Sequence, residues 1–164
     1  ANEVRYPASP DAAGLREIKR IKARVENERL PQGADPARHL KLGPGGLSDV
    51  EWLVQLLQLQ YAHTVPSLRT TSTTIALTAA KDAGIVPEAD AARLFEAWRL
   101  ASRLRSANTL LSGQTSDVLP TDRKRLDGIG RLLEYPPRSA TQVEEDWLRT
   151  ARRARRSFER LFYG

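Results

Sequence analysis

The stretch Trp52-Leu53-Val54-Gln55-Leu56-Leu57-Gln58-Leu59-Gln60-Tyr61 is the feature that most restricts how this chain can fold. Wound as a helix, it carries Trp52, Leu53, Val54, Leu56, Leu57, Leu59 and Tyr61 on most of its sides. A helix that is apolar nearly all round has to be enclosed by other elements, so it belongs at the centre of a bundle. Ser48-Asp49-Val50-Glu51, just before it, reads as a capping box, with Ser48 as the cap and Glu51 reaching back from three residues on.

The rest of the chain supplies helices that can do the enclosing. One is predicted to start at Ser9-Pro10-Asp11, with Ser9 as cap and Pro10 at the first helical position. Its apolar positions are Leu15, Ile18, Ile21 and Val25, while Lys19, Arg20 and Arg24 fall mainly on other faces. A loop with proline and glycine throughout, residues 31–47, leads into the central helix. Val65-Pro66 breaks that helix. A short helix from Ser72 to Ala83 stops at Gly84. The next runs from Pro87 to Leu111, with a buried stripe of Leu94, Phe95, Trp98, Ala101, Leu104 and Leu111, and ends at Gly113. A weaker segment spans Asp122 to Leu133, and Pro136-Pro137 then forces an extended connection. The last helix, Thr141 to Phe162, has the stripe Val143, Trp147, Ala151, Ala154, Phe158 and Leu161. Glu144, Glu145 and Asp146 occupy its first turns and arginines fill the rest, as the helix dipole favours. With no alternating strand pattern in competition, the expected fold is all-α, an antiparallel bundle of five or six helices, with residues 1–164 forming one helical domain.

Composition closes off several kinds of chemistry. A chain of 164 residues with 40% apolar and 28% charged residues is long enough and apolar enough for a real core. It has no cysteine, which excludes disulfides, thiolate metal sites and cysteine nucleophiles. His39 and His63 lie too far apart in sequence to suggest metal ligands, so no metal site is expected. No apolar run approaches the roughly 18 residues of a membrane span, and no signal-like start is visible, so a cytoplasmic setting is expected. The absence of methionine and the abrupt Ala1-Asn2-Glu3 start are compatible with a piece cut from something longer. The net charge of +6 favours acidic partners but says nothing about fold.

Two patterns are candidates for function. Lys41-Leu42-Gly43-Pro44-Gly45-Gly46-Leu47-Ser48-Asp49-Val50-Glu51 is a glycine-rich loop running into a helix N-terminus. Glycines let backbone N–H groups approach an anion, the helix end adds partial positive charge, and Lys41 adds a full one. Lys41, Gly43, Gly45 and Gly46 are therefore candidates for cradling a phosphate. The same glycines serve equally to make a tight turn, with Asp49 and Glu51 satisfying the helix end. Asp49 and Glu51 do not make a metal pair, because side chains two apart on a helix point about 200° from each other. Asp-x-Asp occurs nowhere in the chain, so the two-metal chemistry of nucleotidyl transfer has no complete ligand set here. The second pattern is Arg149, Arg153, Arg156 and Arg160, one stripe on the last helix that suits an acidic partner surface. It serves equally as a solvated outer face. Trp52, Trp98 and Trp147 sit on apolar stripes and read as core, and His63 as a boundary residue.

The segments RIKARVE at 20–26, Lys41 to Glu51, WLVQLLQLQYA at 52–62, LRTTSTTIALTAAKDAGIVP after it and RTARRARRSFERLFYG at the end resemble the bacterial glutamine synthetase adenylyltransferases, above all their actinobacterial form. The Gly-Gly-Leu-x-Asp-Val-Glu core is also similar to that of PII uridylyltransferases. The likeness spans nearly the whole chain and is weakest from Thr115 to Thr141. It implies a two-headed enzyme. One half uses ATP and Mg2+ to transfer AMP to a tyrosine of glutamine synthetase, and the other removes it by phosphorolysis. Each half has a nucleotidyltransferase domain followed by a helical domain. This chain resembles the final helical domain, without the family's catalytic Gly-Ser and Asp-x-Asp elements, and the resemblance implies that the Lys41 to Glu51 motif, with Gly43, Gly45, Gly46 and Asp49, lines the nucleotide site. The resemblance thus implies an inactive fragment with no cofactor of its own, whose partners are the upstream nucleotidyltransferase domain, glutamine synthetase and the PII signal protein, with no membrane and no nucleic acid among them. The rival readings are a basic nucleic-acid-binding module using the arginine stripe and a purely structural spacer.

Overall fold

A computed structural model describes residues 8–164, and six α-helices make up the architecture, with no strand among the described residues. The Ala1-Asn2-Glu3 start lies outside them. Helix α1 spans Ala12–Arg29, α2 Leu47–Tyr61, α3 Thr73–Asp82, α4 Glu88–Ser112, α5 Arg123–Leu132 and α6 Ala140–Phe158. Short 3-10 turns at Pro36–Arg38 and Pro66–Leu68 sit in the connections, and a π-type turn at Glu159–Tyr163 prolongs α6.

Most boundaries follow from local chemistry. Ser72 caps α3 by accepting from the Ile75 N–H at 3.3 Å, and Asp122 caps α5 through the Lys124 N–H at 2.9 Å. Gly113 ends α4 in the left-handed region at φ 72° and returns its N–H to the Thr109 carbonyl. Two predicted starts are corrected. The cap of α1 is Asp11, whose carboxylate accepts from the Gly14 N–H at 2.8 Å, so Ser9 and Pro10 precede the helix. Helix α2 is capped at Gly46, not Ser48, and has no capping box. Asp49, at its third position, reaches back to the Gly45 N–H at 2.7 Å and does the work expected of Glu51.

The apolar residues form two clusters. One gathers Val50, Leu53, Val54 and Leu57 of α2, Leu77 of α3, Leu94 of α4, and Phe158 and Phe162. The other joins Leu40, Leu47, Leu104, Leu119, Leu126 and Ile129 to Val143, Trp147 and Ala151 of α6. Helices α4 and α6 feed both clusters, and Trp98 packs against both. The central apolar run is enclosed through Leu57 but opens at its end, where Leu59 and Tyr61 are exposed.

The stripe of α4 also needs correction. Its buried side chains are Leu94, Ala97, Ala101, Leu104 and Ala107, whereas Leu111 is 49% exposed and rests beside Gly128 at the edge of α5. Phe95 and Trp98 are half-buried. In α6 the predicted stripe holds through Phe158, after which Phe162 is buried and Leu161 only half so. The wider π-type turn shifts the inward register by one residue there. Among the described residues, no helix is long and apolar enough to cross a membrane.

Candidate functional site

The glycine loop is folded onto the chain's own backbone. Arg38 anchors the segment before it, bonding the Leu119 carbonyl at 3.1 Å, Glu144 at 2.6 Å and the Pro120 carbonyl. Leu40 N–H donates to the Asp117 carbonyl at 2.7 Å, and Leu119 N–H to the Arg38 carbonyl at 2.8 Å. His39 is buried between these strands of loop, and its Nδ1 accepts from the Leu42 N–H at 2.9 Å. Burial, helped by the charges of Arg105 and Lys41 against that of Asp117, pushes the His39 imidazole below its usual value.

From Leu42 to Ser48 every amide donor of the loop is committed. Gly43 N–H donates to the His39 carbonyl, Gly46 N–H to Gly43, Leu47 N–H to Leu40, Ser48 N–H to Lys41, and Gly45 N–H to Asp49. Pro44 has none to offer. The missing side chains are filled by packing as well. A Cβ on Gly43 would stand 2.0 Å from the Pro36 carbonyl oxygen, and one on Gly45 would stand 2.1 Å from that of Ala151 in α6. Gly45 also sits at φ 75°, a conformation that glycine alone adopts readily. This geometry favours the tight-turn reading of the glycines over a cradle for an anion. Of the six candidate residues, Gly43, Gly45, Gly46 and Asp49 are buried, and Lys41 and Glu51 are half-buried. The side chains of Lys41 and Glu51 make no hydrogen bond or ion pair among the described residues.

Asp49 lies at the centre of a buried charge network. It is 1% exposed and accepts from Lys22 Nζ at 2.9 Å, from Gly45 N–H at 2.7 Å and from Arg155 at 3.1 and 3.2 Å. Lys22 is itself 2% exposed, pairs with Glu26 at 3.1 Å, and lies 5.4 Å from the centre of the Phe158 ring. Arg155 grips Glu26 through two nitrogens at 2.8 and 3.2 Å and Glu159 at 2.8 Å, with its guanidinium 5.0 Å from the same ring. Burial works to raise the Glu26 carboxyl, yet the Arg155 hydrogen bond and the charges of Lys22 and Arg155 outweigh it and hold that carboxyl below its ordinary range. The same carboxylates overcome the burial of Arg155 and raise its affinity for its proton. Burial, and then the Glu26 charge, push the Tyr163 phenol up to about 12, and its hydroxyl is buried without a hydrogen-bond partner.

Sequence reasoning missed Lys22 and Arg155 as partners of Asp49, and Glu26 as the second carboxylate those two cations share. Asp49 and Glu51 point apart, and the Asp49 carboxylate meets Lys22 and Arg155. Among the described residues no group of three or more carboxylates and histidines is arranged to hold a metal ion.

The arginine stripe of α6 divides. Arg149 pairs with Asp146 at 2.9 Å, and Arg160 reaches across to the buried Asp90, which also accepts from Ser157 at 2.7 Å. Burial tends to raise the Asp90 carboxyl, but these hydrogen bonds hold it below its ordinary value. Arg153 and Arg156 are exposed and pair with no carboxylate among the described residues. Trp147 is core as expected, 0% exposed with its indole N–H on the Ala37 carbonyl at 3.0 Å, whereas Trp52 and Trp98 are half-buried.

Comparison with known proteins adds to this geometry. A family model described as GlnD PII-uridylyltransferase matches residues 15–162. The bifunctional glutamine synthetase adenylyltransferase/adenylyl-removing enzyme of Leifsonia xyli subsp. xyli is 65% identical over 164 residues, covering 100% of this chain and 16% of that protein. The proteins of the same description from Streptomyces coelicolor and Mycobacterium leprae are 53% and 45% identical, over 98% and 99% of this chain and again 16% of their own length. The chain therefore spans about one sixth of the length of the curated relatives it matches.

Proposed function

We propose a function from one premise: the chain belongs to the GlnD PII-uridylyltransferase family. It is the helical domain of a longer bifunctional glutamine synthetase adenylyltransferase, and it accompanies a nucleotidyltransferase domain elsewhere in that polypeptide. The longer protein transfers AMP from ATP, with Mg2+, to a tyrosine of glutamine synthetase, removes it again, answers to the PII signal protein, and works in the cytoplasm. The observation that carries this reading is the coverage: relatives 45 to 65% identical match almost all of this chain with 16% of their own length. That identity favours adenylyl over uridylyl transfer, because the Gly-Gly-Leu-x-Asp-Val-Glu core is common to both.

Within that protein the domain acts as a framework at the edge of the nucleotide cleft. The glycine loop and Asp49 lock α6 onto α2, which supports a structural role for them. Lys41 and Glu51 are the members of the motif left to meet a nucleotide held by the neighbouring domain. The isolated chain is expected to move no label from ATP to glutamine synthetase, and the longer protein to do so. In that longer protein Lys41→Ala is expected to lower kcat/KM for AMP transfer by about ten- to hundredfold while the melting temperature holds, as for one lost charge-assisted hydrogen bond. Asp49→Asn is the wrong probe, because Asp49 supports Lys22, Gly45 and Arg155 together. Full activity in Lys41→Ala would reduce the domain to a spacer at this edge, and label transfer by the isolated chain would overturn the reading altogether.

A further inference from the structure

We infer that the groove between α6 and the glycine loop is a docking site for an acidic segment of the same longer polypeptide, one that seats an apolar side chain between two arginines. The inference rests on the reading of this chain as one domain of a larger protein. The groove has a volume of about 290 Å³ and is lined by Ala37, Pro44, Leu148 and Ala151 together with Arg152 and Arg156. Arg155 belongs to the same lining.

Charge is the first argument. The lining contains three guanidiniums and no carboxylate. Arg155 is committed inward to Glu26, Asp49 and Glu159. Arg152 and Arg156 are exposed and have no carboxylate partner among the described residues, whereas Arg149 and Arg160 on the same helix both do. Like charges four residues apart on a helix repel, and a carboxylate placed between them removes that cost. The second argument is the apolar part of the lining. An anion alone has no use for Leu148 and Pro44, so the occupant combines an apolar side chain with negative charge, as an acidic peptide segment does. The third is rigidity. Gly45 lies against the Ala151 carbonyl with no room for a Cβ, which fixes the loop that carries Pro44 directly on α6. The groove is thus built before anything enters it, and little ordering cost falls on binding.

Size decides the source of the segment. A groove of this volume accepts one or two side chains, far fewer than the roughly 20–30 residues a side of a stable interface between separate proteins. A segment tethered to the same polypeptide meets the groove at high effective concentration and has no such requirement. This chain is 16% of the length of its relatives, so most of the polypeptide is available to supply it.

The test uses the full-length protein with p-benzoylphenylalanine in place of Pro44, illumination, and mass spectrometry of the digested product. The expected product is an intramolecular cross-link from position 44 to a segment rich in aspartate and glutamate outside this domain. R152E/R156E in the same protein is expected to cut the yield roughly tenfold, as like charges replace complementary ones, with the thermal melt retained. If that charge reversal unfolds the protein, salt replaces it, and the yield with both arginines in place must fall between about 0.05 and 0.5 M NaCl. Cross-links to glutamine synthetase, to a second copy or only within this domain would overturn the inference, as would no cross-link or a yield indifferent to both charge and salt. AMP transfer by the unsubstituted full-length protein separates the two readings: transfer there without the cross-link at position 44 sinks only the docking site, and absence of transfer from the unsubstituted protein sinks the parent reading.

Discussion

Helices α1 and α6 both lie against α2, and they are held there by different physics. In α6 the inward face is apolar, with Val143, Trp147, Ala151, Ala154 and Phe158 all buried. In α1 the single buried residue is a lysine, and Leu15 and Ile18 are only partly covered. One helix is held by area removed from water, which is strong and non-directional. The other is held by Lys22 and Glu26 meeting Asp49 and Arg155, which is directional and useful only when every partner is present. The difference teaches that one bundle can hold one helix chiefly by apolar burial and another chiefly by directional charge contacts.

The comparison can be broken at either end. The largest effect is expected from Trp147→Ala, about 3–5 kcal/mol, because a buried indole and its bond to Ala37 are lost together. Chemical denaturation at low and high salt checks it, and a loss that varied strongly with salt would show that charge also holds α6. Lys22→Met comes next, at about 1–3 kcal/mol, since Asp49 keeps Arg155 and the Gly45 N–H when the ammonium is removed. Hydrogen exchange should place the lost protection in α1 and leave α6 as it was, and a loss spread evenly over both helices would erase the contrast. The smallest effect is expected from acid. The folded-state pKa of Glu26 is depressed, so its contribution is fully present above the ordinary carboxylate range and is lost as pH falls through the lower folded value. Protection of the α1 amides, taken relative to their intrinsic exchange rates at each pH, should therefore fall as pH drops below about 4.5, before the melt of the whole chain broadens. Simultaneous loss of both helices would mean that α1 has no separate equilibrium.

Much of this was open to inspection in the sequence. The six helices, the αL stop at Gly113 and the face of α6 follow from periodicity and turn chemistry, which are local. Even the buried cations left a sign. Lys22 falls between Ile18 and Val25 on the inward side of α1, and Arg155 falls between Ala151 and Phe158 on that of α6. A lone cation on an apolar stripe demands a carboxylate opposite, and Asp49 opens the one helix apolar enough to be central. What was not legible is the pairing itself. The bond from Arg155 to Asp49 spans 106 residues, and the contact of Gly45 with Ala151 rests on a backbone approach that no composition or spacing encodes. The glycine loop therefore invites a phosphate reading from sequence and takes a packing role in three dimensions. The Ser48 capping box failed for a related reason, because Asp49 was better placed to reach the Gly45 N–H than Glu51 was to reach back to Ser48.

The bond between Glu26 and Arg155 joins residues 129 apart. A ribosome delivers Glu26 first, and the arginine that completes its site leaves the exit tunnel only after nearly all the other helices have emerged. During that interval Lys22 and Glu26 of α1 can meet Asp49 but lack Arg155, so the seat of α1 is incomplete. Synthesis therefore imposes a timetable on this bundle: the charge network that seats α1, the first of the described helices, is whole only once α6 has been made.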